Sequence, residues 1–360
     1  MKVTTFPLLL NPTIKLTLFS GVFLGTITTI LSSSWFIAWL GLEINIIAII
    51  PLIINPISQR SLESSAKYFI SQAVASSTII LASSWNWYTS GQWIISHTSD
   101  NFSITLISLA LLLKLGLAPL HFWLPEVLQG VNLQIGLIIS TWQKLAPLTL
   151  LIQIASNSDL KPIFIFISIF SVLIGGFGGL NQTQLRKLLA YSSISHLGWI
   201  VGVIFISPSL SWLTTLIYLT ITYSIFVILI ELNSTKISDL IFSWSKTNWS
   251  HSKCILILLS LGGLPPFTGF FLKLSISNEL LSNSLISITI LLILGSLISL
   301  FFYLRLSFIS SLLLAPTNLQ IKGSWKTHHH SNLLNNLLFL FSIFLLPLSP
   351  LILSLFHISL

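Results

Sequence analysis

"LLLKLGLAPLHFW", residues 111–123, decides what kind of protein this is. An apolar run carries Lys114 in its middle and then breaks at Gly116 and Pro119. Similar apolar runs recur almost to the end of a 360-residue chain that is 54% hydrophobic and 7% charged. Mean hydropathy is +0.94. Apolar stretches of about twenty residues match a hydrocarbon core roughly 30 Å thick. Lipid admits only helices or closed barrels there, because every backbone N–H and C=O must find its partner within the protein. Barrel strands alternate apolar and polar residues, and these runs do not. The expected fold is therefore an all-α polytopic membrane protein.

Eleven spans are expected, at 13–32, 35–55, 64–83, 103–121, 134–155, 162–180, 188–206, 211–231, 254–272, 284–308 and 334–356. No soluble domain is left over, so residues 1–360 read as a single membrane domain. The fourth and ninth spans, "LKLGLAPLHFWLPE" (113–126) and "LSLGGLPPFTGFFLK" (259–273), both carry Gly, Pro and Lys. Proline removes a backbone hydrogen bond and clashes with the preceding turn. An opened turn survives in a membrane only when it is buried in protein or lines a wet cavity. Two interrupted spans at corresponding places in two halves mark inverted-repeat transporters. The chain then reads as two inverted five-helix repeats with discontinuous helices, 13–155 and 162–308, plus a trailing helix at 334–356.

Several chemistries are excluded or weakened. Cys254 is the single cysteine, so there is no internal disulfide, no iron–sulfur cluster held by this chain alone and no Cys-based zinc site. No P-loop is present. "GGFGGL" (175–180) fails the dinucleotide pattern and follows no strand, and close helix packing by small residues is its simpler reading. His328–His330 lies in a polar loop with no acidic or Cys partner nearby, a poor metal site.

The net charge of +8 is informative through its placement. With the spans above, loops on the N-terminal side hold Lys2, Arg60, Lys67, Arg186, Lys187, Lys236, Lys246, Lys253, Lys322 and Lys326, whereas the opposite loops hold Lys161 alone. That asymmetry orients the N-terminal side toward the compartment of synthesis and needs no nucleic-acid partner. Sequons at Asn233 and Asn248 fall on the same side and read as chance matches. The N-terminus shows no Arg-rich amphipathic presequence, which predicts insertion from within a bacterium or an organelle. Methionine occurs once while isoleucine is abundant. Codons that an organelle reads as Met would produce that balance if translated as Ile, and mass spectrometry of the mature chain distinguishes the two.

The charges inside spans carry the functional reading. They are Glu43, Lys114, Lys144, Lys273 and Arg305, with Lys15 and Glu231 near span ends. A mid-membrane lysine costs roughly 2.5–3.5 kcal/mol on insertion scales and tends to mark an ion or proton path. Lys15, Arg305 and Glu231 can snorkel to the interface. Lys114 and Lys144 lie deeper, and Lys273 follows a broken helix. Glu43 has no local basic partner, and Lys114 is a candidate. Between the repeats, "GGLNQTQLRKLLAYSSISHLGW" (178–199) leads hydroxyls and His196 into the seventh span. Histidine titrates near neutral pH, so His196 suits a proton relay and packing about equally, while the serines suit packing.

Taken in order, "WLGLEIN", "LKLGLAPLHFWLPEVLQG", "STWQKLAP", "GGLNQTQLRKLLAYSS" and "SLGGLPPFTGFFLK" resemble NADH dehydrogenase subunit 2 of mitochondrial respiratory complex I, a family of antiporter-like, proton-translocating membrane subunits. The last third matches more loosely. The resemblance implies a proton relay of Glu43 paired with Lys114, a central Lys144, and Lys273 beside Pro265 and Pro266. Glu231 matches no family role. It implies that NADH, FMN, iron–sulfur clusters and ubiquinone are bound by other subunits, with no cofactor in this chain. It implies membrane-arm and accessory subunits of complex I and membrane lipids as partners. It also implies a multi-pass location in the mitochondrial inner membrane with the N-terminus on the matrix side. Two alternatives compete with it: a free-standing cation/proton antiporter, and a scaffold whose lysines only pair internally.

Overall fold

The computed structural model describes residues 11–98, 100–155, 160–242, 248–312 and 333–345, with Pro347 and Ser354. The triple histidine, Lys2, Lys246, Lys322, Lys326 and the end of the expected last span lie outside the described residues. Among the described residues no strand forms; the two isolated β-bridges are Ser34 with Ile94 and Gln184 with Lys236.

The chain divides into two compact units, the first ending at Leu160 and the second beginning at Lys161. The first unit contains α1 (Pro12–Ile30), α2 (Trp35–Ile54), α3 (Gln59–Ser90), α4 (Asn101–Leu115), α5 (Trp123–Gly130), α6 (Leu133–Ser140) and α7 (Trp142–Ile154). The second contains α8 (Lys161–Gly179), α9 (Leu185–Ile204), α10 (Pro208–Leu232), α11 (Ile237–Phe242), α12 (Asn248–Gly262), α13 (Thr268–Ser282), α14 (Ile286–Leu312) and α15 (Leu333–Phe344). Among the described residues, seven helical stretches are long and apolar enough to cross a membrane: α1, α2, α6 taken with α7, α8, α9, α10 and α14.

Helix α3 differs from the expected span at 64–83 and runs for 32 residues, about 48 Å at 1.5 Å per residue. Ser58 begins it with a reciprocal cap: its Oγ accepts from the Ser61 N–H at 3.1 Å and its own N–H donates to Ser61 Oγ at 2.8 Å. Gly91, at φ 72°, ends it. Its buried face carries Ser61, Ser64, Ser65, Gln72, Ser76 and Ser83 beside Tyr68, Ile79 and two alanines. Ser64 and Ser76 donate to carbonyls one turn back, so these hydroxyls are satisfied inside the helix and their small size lets neighbours approach.

Glycine does the same work more sharply where α8 meets α9. A Cβ added to Gly175 would stand 2.8 Å from the Ser195 backbone nitrogen, and one on Gly198 would stand 2.2 Å from Ser171 Oγ. The "GGFGGL" segment is thus packing surface, as small residues at a membrane helix interface provide. In the first unit Gly25 and Gly41 bring α1 and α2 together in the same way.

The interrupted spans differ in detail from the expected ones. The fourth ends as helix at Leu115 and resumes at Trp123. The ninth is longer at both ends, with its break between Gly262 and Thr268. The fifth, expected to be continuous, is interrupted at Thr141, where φ is −112° and ψ −72°. Thr141 Oγ1 donates to the Leu137 carbonyl at 2.6 Å, a back-bond of the kind that bends helices.

Overpacking a close helix contact costs about 1–3 kcal/mol or more. Gly198→Val should therefore lower the thermal stability of the detergent-solubilised protein, whereas Gly91→Ala, with nothing within 4 Å of its Cβ, should show only the smaller cost of its positive φ. Equal melting temperatures for Gly198→Val and the unsubstituted chain would remove glycine packing as the reason for this contact.

Candidate functional site: two buried lysine cavities

Both breaks close by one backbone device. After α4, Gly116 adopts φ 75°, its N–H donates to Leu113 O at 3.0 Å, and the Leu117 N–H reaches Leu112 O at 3.1 Å. After α12, Gly263 adopts φ 80°, its N–H donates to Ser260 O at 3.0 Å, and the Leu264 N–H reaches Leu259 O at 3.4 Å. These are paired bonds of a Schellman ending, which satisfies carbonyls that a helix end leaves open. Glycine is required at both points because its missing Cβ makes the left-handed conformation accessible. "LGLAP" and "GGLPP" then place proline two or three residues beyond the glycine, where the helix cannot resume.

Side chains complete the closure. Trp123 Nε1 donates to Leu113 O at 2.9 Å, and Lys273 Nζ donates to Gly262 O at 2.8 Å. Lys114 sits in the last turn of α4. Each lysine therefore meets the carbonyl end of a half-helix, where the dipole favours a cation.

In the first unit Lys114 is 6% exposed and Lys144, in the first turn of α7, is 2% exposed. They line one cavity of about 20 Å³, together with Asn45, Gln72, Gln143 and Tyr68. Lys114 Nζ, Asn45 Oδ1 and Nδ2, Gln72 Nε2 and Gln143 Nε2 are buried there without a hydrogen-bond partner among the described residues. Buried polar groups of this kind cost free energy unless paired, and a cavity of this size admits about one water. A water bridging amides and amines is the group that fits the donor set.

Glu43 does not join this lining. It lies half-buried on α2, while its neighbours Leu42, Asn45 and Ile46 face the cavity. Its charge acts on Lys114, but the two form no ion pair within 4 Å among the described residues. Lys67, nearer the surface on α3, instead bridges Glu63 and, at 2.7 Å, Glu126 on α5.

In the second unit His196 on α9, 7% exposed, and Lys273 on α13 line a common cavity of about 10 Å³ with Tyr218, Thr214 and Trp199. The His196 and Tyr218 ring centroids are 6.0 Å apart, and Tyr218 shares a hydrogen bond with Ser193. Ser192, Ser193 and Ser195 each donate to a carbonyl three residues back at 2.8 Å, which fits the packing role. Arg305 is a structural contact, donating to Gln182 O at 3.4 Å. Among the described residues no group of three His, Cys, Asp or Glu side chains gathers to hold a metal.

The structure thus joins Lys114 with Lys144 and His196 with Lys273, within their respective units. Reading for charge missed the amides Asn45, Gln72 and Gln143. Asn45 and Gln143 sit within two residues of Glu43 and Lys144, and that adjacency was the available signal.

Gly269 holds the second break shut. A Cβ there would lie 1.7 Å from Ser260 O, a clash with backbone that no side-chain motion relieves. Gly269→Ala should force the α12–α13 junction apart, read as faster hydrogen exchange at Leu264 and Phe267 and a lower melting temperature. Unchanged exchange would show that the junction has slack.

Comparison with known proteins places this architecture. A family model described as "NADH:quinone oxidoreductase/Mrp antiporter, TM" matches residues 32–299, and one described as "NADH dehydrogenase subunit 2 C-terminus" matches residues 300–353. The chain is 78% identical, over 96% of its own length and 99% of the relative's, to NADH-ubiquinone oxidoreductase chain 2 of Myxine glutinosa. In fold it is similar to a chain of respiratory complex I from Thermus thermophilus, at TM-score 0.79 and 22% identity, covering 93% of this chain and 78% of that one. It is also similar to a chain of the Mrp complex of Dietzia sp. DQ12-45-1b, at TM-score 0.75 and 18% identity, covering 83% and 61%. With a family match over most of its length and so near a full-length relative, the chain belongs to the NADH-ubiquinone oxidoreductase chain 2 family.

Proposed function

We propose that this chain is a membrane-arm subunit of a proton-pumping NADH:ubiquinone oxidoreductase, moving protons along a buried path of Glu43, Lys114, Lys144, His196, Lys273 and intervening water. The observation that carries the reading is the first cavity, where two buried lysines, the buried amides of Asn45 and Gln72 and the half-buried Gln143 face a space the size of a water molecule. A lysine removed from water gives up its proton more readily than a solvated one, and an opposite charge brought close restores the charged form. Movement of Glu43 relative to Lys114 would thus load or unload the amine. Protons would enter from the side bearing most of the loop charge, taken as the mitochondrial matrix, where the N-terminus also lies.

In this reading the helices make about eleven spans in two inverted five-helix repeats plus a trailing helix, with α4–α5 and α12–α13 each counted as one broken span. NADH, FMN, iron–sulfur clusters and ubiquinone belong to other subunits, and the partners are the other membrane-arm and accessory subunits together with inner-membrane lipids. A free-standing cation/proton antiporter is the second reading, and the shared fold with the Mrp complex favours it.

Native electrophoresis with an NADH-oxidation stain separates the two. The chain should co-migrate with a very large active band; migration alone would put the antiporter first. Within the complex, Lys144→Met should lower the number of protons moved per electron while the band stays at full strength. An unchanged ratio would sink the proton-path reading.

A further inference from the structure

Apart from the lysine cavities, the second unit holds a larger space of about 250 Å³ between α8, α9 and the start of α14. Phe164 and Phe205 stand against each other in its wall, with ring centroids 4.3 Å apart, and Val201 and Leu285 also line it. Phe164, Val201 and Phe205 are buried. Ile165, half-buried, and Lys161, exposed, bring the lining out to the surface. Among the described residues Lys161 carries the only polar side chain of that lining. Lys161 begins α8, Phe205 follows the end of α9 and Leu285 precedes α14. All three helices are long and apolar enough to cross a membrane, so the space lies where their ends would meet the bilayer boundary. Ile165 is one turn deeper than Lys161, about 6 Å along the axis.

An empty space of this kind forfeits the dispersion contacts of its walls. Water does not suit it, since an apolar cavity of about 150 Å³ stays dry and takes up an apolar guest instead. At a bilayer boundary the abundant apolar guest is a lipid acyl chain. Lys161 selects among lipids. It forms no ion pair within 4 Å among the described residues. It also stands at the first position of a helix, where the dipole is positive and favours an anion. Helix α14 begins beside the same lining and adds a second positive end. An ammonium donates strong, charge-assisted bonds to a phosphate. The neighbouring loops 205–207 and 283–285 carry no charge, so Lys161 is the cation placed to hold a headgroup. The acidic residues nearest along the chain are Asp159, outside the described residues, and Glu279, which does not line the space.

We propose that this space is a binding site for one anionic phospholipid, an acyl chain lying against Phe164, Phe205 and Leu285 and the headgroup phosphate resting on the Lys161 ammonium. The chain restores the contacts that the walls lack, and the phosphate meets a cation and two helix starts. A zwitterionic lipid fills the same space but brings no net negative charge to Lys161, so it binds less well. The site is independent of the proton path.

Photolabelling of the assembled complex in phosphatidylcholine vesicles tests the site. Two probes are added in trace amounts to separate samples, phosphatidylglycerol and phosphatidylcholine, each with a photoreactive diazirine in one acyl chain. Mass spectrometry then locates the labelled residues. Ile165 and Phe205 should be labelled about fivefold more by the phosphatidylglycerol probe, the preference that one lysine near a membrane surface gives an anionic lipid. Lys161→Gln should bring the two probes level, and Lys161→Arg should keep the preference. Ile165→Trp, which fills the space from its half-buried edge, should remove the labelling of Phe205 by both probes. Phe170, exposed further along α8, should be labelled to the same extent in every variant. The proposal falls if Ile165 and Phe205 stay unlabelled, as they would beneath another subunit. It falls equally if the two probes label them alike in the unsubstituted chain, as they would if Asp159 neutralised Lys161, or if Lys161→Gln leaves the preference intact. No proton ratio is read, so failure here leaves the proton-path reading where it stands.

Discussion

The constraint on which this structure depends is that a peptide group in hydrocarbon has no water to bond. A continuous helix meets it automatically, and a broken one does not. The two breaks show how the debt is met locally. A left-handed glycine turns the chain so that its own N–H and that of the next residue reach back to open carbonyls, and a long side chain adds a further bond. In the first unit that side chain is Trp123; in the second it is Lys273 itself. Proline follows each glycine because a residue without an N–H has nothing to leave unpaired. Lys273 follows the same rule, its amine on the last carbonyl of α12, and Lys114 lies in the last turn of α4.

Close packing explains why the cavities around the lysines are so small. Where glycine and serine line the helix contacts, backbones approach until a single methyl group would collide, as at Gly198 and Gly175. Among the described residues the small spaces around the lysines are lined by polar side chains, whereas a larger space of about 250 Å³ beside Phe164, Phe205 and Leu285 is apolar. In the first unit the polar lining is made of the lysines and amides around a volume of about 20 Å³. Water in such a space has few orientations, and its hydrogen bonds are set by the surrounding side chains. Tight apolar packing and ordered polar links are therefore two results of one choice of small residues.

The helical membrane architecture was legible in the sequence because apolar runs of bilayer length admit few folds. The breaks were legible because Gly and Pro inside such runs have strong, local effects. Lys114, Lys144 and Lys273 stood out because a charge in hydrocarbon is expensive wherever it sits. What was hidden had weaker or non-local causes. Asn45, Gln72 and Gln143 carry no charge, so nothing in one span says that they will face a lysine from another. The interruption at Thr141 arises from a hydroxyl back-bond that many threonines make without consequence. Glu43 was found by its charge, but its half-buried position beside the cavity lining follows from the rotation of α2, which the neighbouring helices fix. The length of α3 was obscured because its buried face includes five serines, Gln72 and Asn86, which a hydropathy scan reads as polar.

The cap that Lys273 places on Gly262 makes that side chain a strut. As an ammonium it holds the carbonyl with a charge-assisted bond and is drawn to the helix end by the dipole, a term of roughly 0.3–1 kcal/mol near a surface and larger when partly buried. As an amine it can still donate, but the dipole no longer pulls on it. Any change in its charge is thus also a change in the tension across the α12–α13 joint, in the manner of a latch whose grip depends on its load. A joint of that kind can report a local electrical event as a shift in the angle of a half-helix, without a hinge loop or a moving domain.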